Sequence, residues 1–318
     1  METVYVGIDI SKATFDVALP DGAGFKHLQL ANDEAGFGGL LSACGPWQCT
    51  FVMEASGPYY LRLAAFLHGK GCRVSVVNPL SVRRFCQMRL TRAKTDKKDA
   101  VMIARYGQAA GPALWQPEPG FVQELRQLQM SAHALEKTRQ QHLRQAEALG
   151  QAPFQSRQAL SGLQQVLAVV DTEKALLDHR LQQLAREHWG EQQRLVESVP
   201  GLGQKSSLLL LVLTAGFTRF AHAKQLIAYL GLSPRVYESG TSVKGKARIC
   251  KMGMARARAV LYMCSWSAIR CNKACRELYQ RLRQKGKAHR LALVAVVNKL
   301  LRQAFAVATK KEMYRETA

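Results

Sequence analysis

Acidic side chains are scarce in this sequence. Only 23 Asp and Glu stand against 45 Lys and Arg over 318 residues, giving a formal net charge of +22 and a pI near 10.0. Such an excess repels itself in a folded chain and normally answers to a polyanionic partner, nucleic acid or an anionic membrane. Long apolar runs are also missing. The most apolar stretch, Leu208 to Ala215, falls far short of the ~20 residues a membrane span needs. No basic segment followed by an apolar one opens the chain, so no secretory signal is expected. The eight cysteines form no CxxC pair and have no histidines at zinc spacing, which reads as reduced thiols in a cytoplasmic protein. Secreted, transmembrane and zinc-finger classes are thereby disfavoured. What is present is 47% hydrophobic and 21% charged residues, enough for packed cores in two or three domains.

The charge is unevenly placed. Residues 1–115 hold 13 basic and 9 acidic side chains, residues 116–190 hold 8 of each, and residues 191–318 hold 24 and 6. Shifts this sharp argue for different jobs in the three segments, with the last as the main polyanion-facing surface. Within the first segment, Arg83, Arg84, Arg89, Arg92, Lys94, Lys97, Lys98 and Arg105 surround only Asp96 and Asp99.

The hydrophobic pattern gives the architecture. VYVGIDI at 4–10 reads as a strand, TFDVALP as a second ending in an Asp21-Gly22 turn, and FKHLQL as a third. Helices over 34–43 and 59–68 alternate with the strands CTFVMEAS and RVSVVNP. This order predicts an α/β domain with a mixed sheet and an antiparallel edge. From about residue 120 the period changes. Leu160, Leu167, Lys174, Leu181 and His188 recur every seven residues, as do Leu163, Val170, Leu177 and Leu184, offset by three. That pattern predicts a helical hairpin or coiled coil; two long helices packed on their own domain are the alternative. A mainly helical C-terminal domain follows. It opens on Val199-Pro200-Gly201-Leu202-Gly203, a hairpin that could present backbone N–H groups to a phosphate or could be an ordinary tight turn. Arg235, Lys244, Lys246, Arg248 and Lys251 lie in an exposed loop or hairpin, and Arg258 on the helix after it.

Acids in such a basic chain stand out. Asp9 interrupts an apolar strand and Glu54 ends another, while Asp96 and Asp99, three apart after Thr95, share one helical face near its positive end. Carboxylates from two strand ends and one helix suit Mg²⁺, which takes hard oxygen ligands and bridges them to phosphates. Taken singly, Asp9 could cap a strand, and Asp96 and Asp99 could pair with neighbouring cations. Asp16 reads as a solvated strand residue, and Ser239 alone as a turn residue in a Gly-rich loop.

YVGIDISKATFDVAL, VMEASG and KTDKKDA together resemble the RuvC-like, ribonuclease-H-type domain of the DEDD transposases of the insertion-sequence one-ten family and the related Piv-type DNA invertases. VPGLG, then YLGLSPRVYESGTSVKGKARICKMG and ARAVLY, resemble the family's second region. The resemblance implies a metal-dependent DNA transposase of the bacterial cytoplasm. Its four acids would be Asp9, Glu54, Asp96 and Asp99, its cofactor Mg²⁺, and its nucleophile Ser239. Candidate nucleic-acid contacts are Arg83, Arg84, Lys94, Lys97, Lys98, Arg235, Lys244, Lys246, Arg248, Lys251 and Arg258. It also implies donor and target double-stranded DNA, a noncoding guide RNA, and dimers assembling into a tetramer that shares its active sites. Where the family commonly has Ser-Lys-x-Gly-Asn, this chain has Cys250-Lys251-Met252-Gly253-Met254. Alternative readings are an invertase, a nuclease that uses activated water, and a nucleic-acid-binding protein without activity.

Overall fold

A computed structural model describes residues 4–45, 49–90, 95–235, 238–239, 243–244, 248–250 and 252–316, the residues at 235, 238–239, 243–244 and 248 by their backbone only. They separate into two compact units, Met1–Glu118 and Pro119–Ala318.

The first unit is a mixed α/β domain. Its strands are β1 (Val4–Ile10), β2 (Thr14–Asp21), β3 (Gly24–Ala31), β4 (Cys49–Glu54) and β5 (Arg73–Val77), ordered β3-β2-β1-β4-β5. β1 runs antiparallel to β2 and parallel to β4, so the expected mixed sheet with its antiparallel edge is present. The Asp21-Gly22 turn forms as read, with Gly22 at φ +54. Alternation along the strands sorts the sheet into two faces. Val6, Ile8, Phe15, Val17, Phe51 and Met53 pack against helices α1 (Glu34–Cys44) and α2 (Tyr60–Gly69). The opposite face packs against α3 (Pro79–Met88) and α4 (Asp96–Ala110) through two smaller clusters. In one, Ala18 meets Ala100 and Ala104; in the other, Val52 and Val77 meet Val82 and Ile103.

α4 lies on β1 with almost nothing between them. A Cβ placed on Gly7 would stand 2.0 Å from the Ala100 carbonyl oxygen and 2.4 Å from the Ala104 nitrogen. A Cβ on Gly107, on the helix side, would come within 2.8 Å of Val52 and 2.9 Å of Tyr5. Glycine at these two positions is a condition of the docking. Thr95 caps the helix as its sequence suggests, its hydroxyl accepting from the Lys98 N–H at 3.3 Å.

The second unit is helical. α5 (Gly120–Gly150) and α6 (Arg157–Glu197) run antiparallel, tied by Arg180–Glu124 at 3.0 Å and Arg139–Asp171 at 2.6 Å. Val170, Leu181 and Leu184 of the heptad pattern are buried, and α6 departs from helical geometry at Trp189. The pair shares a core with α7 (Gln204–Thr214), α8 (Ala223–Tyr229), α9 (Ala255–Cys271), α10 (Lys273–Gln284) and α11 (His289–Lys310). The Pro200-Gly201 turn is anchored by Asn272, which donates to the Pro200 carbonyl at 3.2 Å. A Cβ placed on Gly201, at φ +103, would stand 2.7 Å from the Ala268 Cβ.

Among the described residues, α11 is long and apolar enough to cross a membrane by length and composition alone, although no single run in it is as apolar as 208–215. The scattered arginines and lysines break it into short runs in the sequence. Its inner face, including Leu293, Val297, Leu300 and Leu301, is packed in the core of this unit.

Gly7→Ala is expected to destabilise the N-terminal unit by about 3 kcal/mol, since an added methyl here meets backbone that cannot rotate away. Thermal unfolding should show a Tm lowered by on the order of 10 °C. An unchanged Tm would mean that α4 does not sit on β1 this closely.

Candidate active site

The acids singled out in the sequence fall on the α4 face of the sheet. Asp9 follows Ile8, whose register partner on parallel β4 is Met53; the next step of that register sets Asp9 abreast of Glu54. Ala100 rests over Gly7, two residues before Asp9, so the first turn of α4 delivers Asp99 to the same end of the sheet. Asp9, Glu54 and Asp99 are half-buried, each holding an interaction of its own, and Asp96 is exposed at the helix start. Cys86 on α3 reports on two of them. Its thiol is pushed up first by burial, then by the negative charges of Asp99 and Glu54.

The donors are all carboxylate oxygens, the chemistry that hard divalent cations select. Among the described residues, no three His, Cys, Asp or Glu side chains form a closed group that could hold a metal ion by themselves. The four acids suit such an ion by donor type, and Asp9, Glu54 and Asp99 stand at one end of the sheet. Further oxygens would have to complete its shell.

The structure corrects the reading of Asp16. It is buried, 5% exposed, and sits directly across from Asp9 in the β1–β2 ladder. His27 Nε2 lies 2.6 Å from its Oδ1, and Gln29 donates to Oδ2 at 3.4 Å. An ionised carboxylate only accepts, so the imidazole donates. Two like charges facing each other across a ladder repel, and the His27 bond offsets this for Asp16. Sequence reasoning passed over Asp16 and His27 because nothing local to β2 shows that a helix covers this face.

The basic residues divide. Arg83 and Arg84 on α3, and Lys97 and Lys98 in the first turn of α4, are exposed beside the acids. Arg258 is half-buried and braces the fold, donating to the Leu230 carbonyl at 3.0 Å. Lys94, Lys246 and Lys251 lie outside the described residues, and for Arg235, Lys244 and Arg248 only the backbone is described. So it is for Ser239. Its backbone pairs with Val243 in a two-stranded ladder, β7 (Glu238–Ser239) with β8 (Val243–Lys244). A second ladder, β6 (Pro234–Arg235) with β9 (Arg248–Ile249), flanks it in sequence, so a hairpin replaces the open choice between loop and hairpin. The segment starts and ends at a tight contact: Gly231, at φ +71, passes the Met252 carbonyl, and Gly253, at φ +143, passes that of Tyr229. Met254 occupies the N-cap of α9 with no side-chain bond, a position where an asparagine would bond the helix start.

Comparison with known proteins places the chain in a family. A family model of the IS110-type DEDD transposases, described as Transposase, matches residues 6–151, and one described as Transposase IS116/IS110/IS902 family matches residues 193–280. The chain is 30% identical over 324 residues to the pilin gene-inverting proteins of Moraxella lacunata and Moraxella bovis, covering 96% of this chain and 96% of each of them. It is 29% identical over 113 residues to the insertion element IS110 uncharacterized 43.6 kDa protein of Streptomyces coelicolor, 36% of this chain and 28% of that one. The acid-bearing α/β unit and the helical unit are thus those of a DNA transposase or recombinase, an enzyme whose substrate is DNA. The chain belongs to the IS110 family of transposases, in relation to the pilin gene-inverting proteins.

If Asp99 and Glu54 both act on Cys86, then Asp99→Asn and Glu54→Gln each lower its thiol pKa. Alkylation at a fixed pH near 8, followed at the Cys86 peptide by mass spectrometry, should quicken about threefold for each half unit of that lowering. An unchanged rate in both variants would place the two carboxylates away from Cys86.

Proposed function

We propose that this protein cuts and rejoins DNA through a covalent phosphoserine linkage made by Ser239, with Asp9, Glu54, Asp96 and Asp99 holding Mg²⁺. The observation that carries the reading is the gathering of carboxylates on the α4 face of a chain otherwise rich in cations, within a region matched by the transposase family. Bound Mg²⁺ supplies positive charge where a phosphate gathers negative charge. The residues of the chain do the rest. Arg83, Arg84, Lys97 and Lys98 bind the DNA backbone beside the acids. Ser239 Oγ forms a bond to phosphorus as the bond from phosphorus to a deoxyribose oxygen breaks; the serine proton leaves to solvent or base and the departing oxygen takes one up. The linkage keeps the phosphoester energy, so a new deoxyribose hydroxyl can reverse the step and rejoin the strand.

Assembly belongs to the same reading. Residues 116–190 act as a dimerisation segment in coiled-coil fashion, supported by a second apolar stripe on α6, where Val166, Val169 and Leu176 are exposed. Two dimers form the working tetramer, and a noncoding guide RNA selects the donor and target sites. DNA inversion is the second reading, favoured by the near-complete match in length with the pilin gene-inverting proteins. The two share every chemical step and differ in the layout of the sites.

Trapping tests the chemistry. A reaction on end-labelled DNA, denatured and digested, should leave label on the peptide containing Ser239. Ser239→Ala should lose both adduct and recombinants while DNA binding persists. Cleavage that survives in Ser239→Ala with no adduct would replace this reading with hydrolysis by water.

A further inference from the structure

Within the helical unit, a cavity of about 340 Å³ opens between α5, α6, the first turns of α7 and the start of α9. Its floor is apolar, made by Ala132, Leu181, Leu208, Leu209 and Val260. Over that floor stand Arg256 and Lys205, with His133 and the amides of Gln129, Gln182 and Gln204 around them. The two acids in its wall, Glu136 and Asp178, are both engaged by Lys174, at 3.7 and 2.7 Å. Arg256 has no such partner. It is half-buried and spends one N–H on the Gln129 carbonyl at 3.3 Å, and among the described residues it makes no ion pair with a carboxylate. Burial draws its pKa below the usual arginine value, with no neighbouring carboxylate to oppose this. The first turn of α7 carries no acid either, and its positive end faces the cavity from Gln204 and Lys205, while the Ser206 and Ser207 N–H groups bond the Gly203 carbonyl.

A desolvated guanidinium without a counter-charge is costly, and an anion brought to it would relieve the cost. The apolar side chains in the same lining ask for something more than an inorganic ion. A volume at the lower end of the ~300–1,000 Å³ of small-molecule sites admits one nucleotide and excludes a duplex. We infer that this cavity receives a single unpaired nucleotide of a nucleic-acid strand, its phosphate on Arg256 and Lys205 and its base on the Leu181, Leu209 and Val260 floor. The glutamine amides then offer both donors and acceptors to the base edge, as recognition of single strands requires. This rests on the nucleic-acid reading above and adds a site built from residues other than the four acids and Ser239.

The test uses the full chain with fluorescein-labelled oligo-dT and oligo-rU 20-mers, followed by anisotropy across a salt series. Arg256→Gln should weaken binding about tenfold and reduce the salt slope by about one. Val260→Trp fills the floor without changing charge and should also weaken binding about tenfold, with melting curves showing that both variants fold. Competition by millimolar uridine monophosphate, present in the wild type and lost in both variants, would show that the cavity takes the nucleotide as such. Weakened strand binding in both variants without such competition would show that it takes the nucleotide only within a strand. Two folded variants that bind both oligomers like the wild type would overturn the inference and leave the proposed function standing. A wild-type chain that binds duplex DNA but neither oligomer would overturn the inference and leave the proposed function standing, whereas one that binds no nucleic acid at all would overturn both.

Discussion

At Gly7 the backbone of β1 meets the backbone of α4 with no side chain between them, and the acidic face depends on this contact. A helix held off by one methyl layer would leave Asp99 and its first turn displaced from the strand ends that carry Asp9 and Glu54. Ala100, Ala104 and Gly107 on the helix, with Ala18 on β2, continue the same close approach. Small residues here do more than avoid clashes. They set the depth at which carboxylates enter, so that Asp9, Glu54 and Asp99 are half-buried, with Glu54 and Asp99 near enough to act on the Cys86 thiol.

That placement creates an electrostatic conflict, and the rest of the unit is arranged around it. Four carboxylates, plus Asp16 directly across from Asp9, gather on one face of a strongly basic chain. Asp16 is settled by His27, while the exposed cations of α3 and α4 surround the others. A phosphate approaching bare acids would be repelled; approaching acids with bound cations and a rim of arginine and lysine, it is drawn in. The scarcity of acid elsewhere in the chain gives this cluster its meaning.

Much of the first unit was legible in the sequence because its signals are local. The Asp21-Gly22 turn, the Thr95 cap and the alternation of helix and strand each report on a few neighbouring residues, and each stands where the pattern set it. Asp16 was misread because its burial comes from α4, some eighty residues further on, whose docking hangs on Gly7 and Gly107. Likewise the 129–136 face of α5 and Arg256 on α9 are ordinary helical sequence until packing encloses a cavity between them. The apolar face of α11 is interrupted in sequence by arginines and lysines, and only packing shows it as an unbroken stripe in the core. The family resemblance supplied what no periodicity could, the role proposed for Ser239.

The account stands or falls on whether the α4 face binds a divalent cation through the acids that Gly7 allows to gather. Calorimetric titration of Mn²⁺ into the full chain with duplex DNA present measures this directly. The account predicts saturable binding that is lost in Asp9→Asn and in Asp99→Asn, with DNA affinity retained. Mn²⁺ binding undiminished in both variants would contradict it.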